Sequence, residues 1–142
     1  MTKKLLLTGC LAFLLAGCAP TVYDSRLGEA DIKQLLADNN IEICTETAVS
    51  TDFSPGLLEG KSWTLSTDCV MNPQAMRVTA LKFDSAGAVN TAIRNISSIH
   101  RNGFGPHFAY SWGPYVISFE GDRPFDLQQL VGKALTEAGA NP

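Results

Sequence analysis

Behind Lys3 and Lys4 the chain is apolar for roughly 12 residues, the length of the central region of an export signal and short of the about 20 that a membrane-spanning helix needs. Leu5, Leu6, Leu7, Leu11, Phe13, Leu14 and Leu15 form its centre, and no acidic residue precedes Cys18. A helix packed on a globular core would carry a polar stripe, and this run has none. No twin-arginine pair is present, which points to a general secretory route. Residues 1–17 are therefore expected to be removed, and the fold has to be built from residue 18 onward.

The run closes on Leu15-Ala16-Gly17-Cys18, where an ordinary export signal offers small residues in an Ala-x-Ala-like pattern. This ending, behind a charged start and an apolar centre, resembles the lipobox of bacterial lipoproteins. The resemblance covers residues 1–18 only. It implies a diacylglyceryl group on the Cys18 thiol, cleavage just before that residue, and a mature chain that begins there. Leu7-Thr8-Gly9-Cys10 fits the same four-residue pattern. Cleavage there would leave only Leu5 to Gly9 as the apolar centre and a greasy segment on the mature chain. Each buried methylene contributes about 0.8 kcal/mol, so two acyl chains hold stably where one holds marginally. The expected partner of Cys18 is thus a membrane, on its extracytoplasmic side. By the same resemblance, Ala19 occupies a position where some lipoproteins carry an aspartate linked to inner-membrane retention. It would permit sorting to an outer membrane, or leave the protein on the outer face of the cell membrane in a host with one membrane.

Of 142 residues, 125 remain after residues 1–17 are removed, enough for one domain with a real core. We expect a lipidated tether over 18–25 and a single small domain over 26–142. Two of the 11 basic residues leave with the signal and none of the 14 acidic ones, so 9 against 14 gives a formal charge of −5. Nucleic-acid binding needs clustered Lys and Arg to neutralise phosphate, so no nucleic-acid partner is expected. Anionic headgroups would repel the domain mildly, which leaves the lipid to hold it alone. Cys44 and Cys69 are two thiols in an exported chain, and an oxidising compartment favours pairing them. Closing a loop of about 26 residues contributes roughly 3.5 kcal/mol by chain entropy. The Cys-x-x-Cys spacing of a redox pair is absent, and a zinc site would want more Cys or His nearby.

Leu27, Ala30, Ile32, Leu35 and Leu36 give a helix over about 27–38, with Asp24 or Ser25 as its cap and Asn39-Asn40 as its stop. Alternation over 41–50 predicts a half-buried strand. Ser54-Pro55-Gly56 marks a loop, and 63–70 a second strand that would bring Cys44 near Cys69 if the two pair. Arg77–Phe83 is a strand, Asp84-Ser85 a cap, and Val89, Ala92, Ile93 and Ile96 share one face of a helix over 86–97. Strands follow at 108–112 and 115–120 around Gly113-Pro114, the second with the composition of a strand buried on both faces. Asp126 with Gln129 reads as a capping box for a last helix through Ala138, closed by Gly139. The expected fold is α+β, a mostly antiparallel sheet with helices packed on one face and a second half ordered β-α-β-β-α, a ferredoxin-like order of elements.

Motifs for chemistry are sparse. His100 and His107 lie seven apart across a Gly-rich loop with no third ligand motif, so no metal is expected. There is no Gly-x-Ser-x-Gly nucleophile turn. Glu120, Asp122 and Asp126 cluster, but Gly121, Arg123 and Pro124 describe a solvated turn rather than a buried acid–base pair. Gly103-Phe104-Gly105 lacks the strand–helix context of a phosphate loop, and no cofactor motif is present. The densest feature is aromatic: Phe104, Phe108, Tyr110, Trp112 and Tyr115. Rings at this density build ordinary cores and cross-strand pairs, or they face outward as a binding surface. The expected function is that of a non-enzymatic envelope lipoprotein binding a partner or small ligand, or helping assemble a complex. The alternative is an envelope enzyme acting on cell-wall or lipid substrates, which a pocket joining a histidine to a carboxylate would favour.

Overall fold

The computed structural model describes residues 23–71, 75–101, 107–120 and 124–142. Three helices and five strands follow in the order α1 (Glu29–Asp38), β1 (Glu42–Ala48), β2 (Leu57–Ser66), β3 (Met76–Phe83), α2 (Ala86–Arg101), β4 (His107–Trp112), β5 (Tyr115–Glu120) and α3 (Phe125–Glu137). The strands form one antiparallel sheet in the order β1-β2-β3-β5-β4. The fold is α+β, and its second half is ordered β-α-β-β-α.

The helices divide between the two faces rather than sharing one. Ile32 and Leu36 of α1 and Leu127, Val131 and Leu135 of α3 close over Trp63, Leu65, Val78, Ile117 and Phe119. The opposite face carries α2, whose Val89, Ala92, Ile93 and Ile96 pack on Leu81, Phe83 and Val116. Side chains alternate across a strand, so β5 sends Tyr115, Ile117 and Phe119 to one core and Val116 to the other. A strand buried on both faces requires a layer on each side, and the single-face expectation gives way for that reason.

Local chemistry sets the boundaries. Asn40 ends α1 at φ 56°, in the left-handed region that asparagine tolerates. The N-cap position of α1 falls on Gly28 rather than on Asp24 or Ser25: the Gly28 N–H donates to the Asp31 carboxylate at 2.7 Å, while Asp24 is engaged by Arg26. Ser85 caps α2, its hydroxyl accepting the Ala88 N–H at 3.3 Å. At α3 the cap position falls on Pro124, so Asp126 sits inside the first turn, where a negative charge still favours the helix dipole. Strand β2 begins at Leu57, six residues before the sequence pattern suggests. A bulge between Leu57 and Glu59 shifts the alternation, so Leu57 joins the α2 core and Trp63 the other. Val70, expected in this strand, is 90% exposed in the turn beyond it.

A second bulge, between Ile43 and Thr45, leaves Cys44 as the extra residue of β1. Cys44 is joined to Cys69 by a disulfide with Cα atoms 5.4 Å apart, tying the edge strand to the segment that leaves β2. At the other end of the sheet, Tyr23 is already part of the domain. Its ring packs on the α2 core and its hydroxyl donates to the Phe83 carbonyl at 3.0 Å. Beside it Gly113 turns at φ 54°, where a Cβ would stand 2.7 Å from the Asp24 carbonyl oxygen.

Candidate functional site: an aromatic cleft between β4 and α3

Strand β4 is a sheet edge, and alternation places Phe108, Tyr110 and Trp112 on the face shared with α3. Their cross-strand neighbour Phe119 organises them. Its ring stacks on Phe108 at 5.5 Å between centroids and on Tyr110 at 5.8 Å. Helix α3 passes close because Gly132 has no side chain; a Cβ there would lie 2.7 Å from the Tyr110 hydroxyl oxygen. Between strand and helix runs a cleft of about 540 Å³, lined by these rings together with Phe125, Gln128, Gln129, Gly132 and Lys133.

Phe108 is 42% exposed and Phe125 60%, so two large rings stand at the mouth, while Phe119 and Gln128 are buried at its base. Lys133 is the one charged side chain of the described lining, and it faces Glu137 at 3.8 Å in a solvated pair. The cleft therefore offers apolar area, the exposed Gln129 amide and one ammonium. Such a lining is suited to holding and orienting a ligand.

The five rings expected as a possible surface separate. Phe108 and Tyr110 line the cleft, and Trp112 is partly buried against the α1–α3 core. Tyr115 is a core residue at 2% exposure, because position 115 starts the doubly covered strand; its hydroxyl donates to Glu59 at 3.0 Å. Phe104 lies outside the described residues, as do Cys18, Asp122 and the side chains of His100 and His107. Sequence reasoning missed the α3 wall. The i, i+3, i+4 spacing of Phe125, Gln128, Gln129 and Gly132 marks one helical face, but the stronger leucine face of the same helix drew the reading toward the core.

Two other clusters are structural in form. Glu46 accepts bonds from Lys33 at 2.7 Å, Lys61 at 2.9 Å and the Trp63 indole at 3.1 Å, which holds its carboxyl down at about 2. Glu59 takes the Tyr115 hydroxyl and lies 3.5 Å from Lys82. Among the described residues, no group of three His, Cys, Asp or Glu side chains is placed to hold a metal ion, and no helix is long and apolar enough to cross a membrane.

No family model matches the chain, and no curated protein or solved structure is detectably similar to it.

Proposed function

We propose that this protein is a lipid-anchored binding module of the cell envelope, held on the extracytoplasmic side of a membrane through Cys18 and binding its ligand, without catalysis, in the β4–α3 cleft. The observation that carries the binding half is the pair of exposed rings, Phe108 and Phe125, over a buried aromatic base. Exposing such rings to water is unfavourable unless a ligand covers them, and aromatic anchors are where binding energy concentrates. The anchoring half rests on the sequence pattern that ends at Cys18. The position of Tyr23 supports a short tether: it lies five residues beyond Cys18, and extended chain spans at most about 3.5 Å per residue.

The test is site-specific photo-crosslinking in intact cells. A photoreactive residue at Phe125 is expected to capture a defined partner, and the same residue at Thr91, exposed on α2, is expected not to. Equal capture from both positions, or none from Phe125, overturns the assignment of the cleft.

A further inference from the structure

We infer that the occupant of the cleft is an extended polypeptide segment that adds as a strand to the outer edge of β4 and inserts an apolar side chain between Phe108 and Phe125. This rests on the cleft being the binding site and specifies the chemistry of its ligand.

The backbone of β4 carries the inference. As the last strand of the sheet, β4 pairs with β5 on one side only. At Ser111 the outer side is occupied: the Ser111 N–H donates to the Asn141 carbonyl at 2.7 Å, and the Asn141 N–H donates back to the Ser111 carbonyl at 2.9 Å. Both main-chain groups of Ser111 therefore point outward. Antiparallel ladders alternate, so Ala109, two residues earlier, turns its N–H and C=O outward as well. These groups have no partner among the described residues, and the edge they belong to has already accepted a strand-like segment at Asn141.

The two walls add specificity. A strand laid on this edge runs about 4.8 Å from β4, and every second side chain faces the α3 side. That side holds the cleft, with Phe108 and Phe125 at its mouth and Lys133 as its one described charge. The lining thus selects a large apolar residue. On the other face Ala109 and Ser111 are small, and α2 lies nearest to this strand. This pairing of an open edge with a flanking helix is how a groove reads an extended peptide, main chain for affinity and alternate pockets for sequence. An apolar small molecule would use the rings and leave the outward groups of Ala109 idle.

The experiment uses the full chain in detergent and a displayed library of random dodecapeptides as probe. Selected peptides are then measured against the wild type, Ala109→Pro and Phe125→Ala, and as copies N-methylated one residue at a time. Ala109→Pro removes an N–H that β5 does not use, so proline is tolerated there as on other sheet edges. The expected result is a set of peptides with apolar residues at alternate positions. Their affinity falls at least tenfold on Ala109→Pro, on Phe125→Ala and on N-methylation at one or two alternating peptide positions. The N-methyl arm leaves the protein untouched and decides the matter even if Ala109→Pro fails to fold. Peptides that depend on Phe125 but are indifferent to N-methylation would overturn strand addition and leave the cleft as a side-chain pocket. No selected peptide, with dodecanoate binding lost in Phe125→Ala, would overturn the polypeptide and point to an acyl ligand. Binding of neither probe would overturn both the inference and the assignment of the cleft.

Discussion

Glu46 illustrates how an exposed position becomes stabilising. Three donors converge on one carboxylate, the Lys33 amine foremost, then Lys61 and the Trp63 indole, and its pKa falls from the ordinary 4.5 to about 2. The sign comes from proton counting. Between these two values the unfolded chain binds the proton and the folded chain does not, so stability drops as pH falls from about 4.5 through about 2. Glu46→Gln is expected to flatten the thermal midpoint against pH in that window; an unchanged slope would show that the three donors contribute nothing. Tyr115 gives the opposite case. Burial first, then the Glu59 carboxylate, raise its phenol above the usual 10. Its contribution is complete below pH 10 and is lost as pH rises beyond that. Tyr115→Phe should cost about 1 kcal/mol at neutral pH, the worth of one hydrogen bond, and should weaken the alkaline fall in stability, both readable by chemical denaturation.

At the level of elements, the disulfide and the sheet edges set what is robust. The Cys44–Cys69 bridge fastens β1, an exposed edge strand, at its bulge. Replacing both cysteines by alanine should cost about 3 kcal/mol in oxidised protein and leave the spectrum of the folded sheet intact; an unchanged denaturation midpoint would contradict this. Much of this layer was legible in the chain. The leucine repeat of α3, the Gly113-Pro114 turn, the span of β5 and the asparagine stop of α1 all follow from local pattern. The start of β2 was hidden by Glu59-Gly60-Lys61, which breaks the apolar pattern. Gly60 is there because a Cβ would stand 2.9 Å from Val49 and 3.0 Å from Leu81, a packing constraint that no local rule contains. The division of the helices was signalled by β5, apolar on both sides, whereas element order alone suggested one covered face. The candidate site was half legible: β4 announced its rings, but the α3 wall depends on Gly132 meeting Tyr110 across the fold, and sequence spacing says nothing of that meeting.

At the scale of the whole molecule, the proposed anchor at Cys18 would hold a small acidic domain on a short tether. Tyr23 is fixed at the Phe83 end of the sheet, on the α2 side, beside the Gly113-Pro114 turn. The Phe108–Phe119 pair lies four residues along β5 from Tyr115, about 13 Å at strand rise, and on the face of the sheet opposite Tyr23. A domain tethered through Tyr23 would thus present the cleft at its far end, open to an extracytoplasmic partner rather than pressed on the bilayer that holds it. That geometry has consequences only if Cys18 carries the lipid. Intact-mass and fragment spectra of the protein purified from its own membranes decide this directly. The expected product is a mature chain that begins at Cys18, with that cysteine diacylated. A chain that retains residues 1–17, or one that starts elsewhere with an unmodified cysteine, would contradict it.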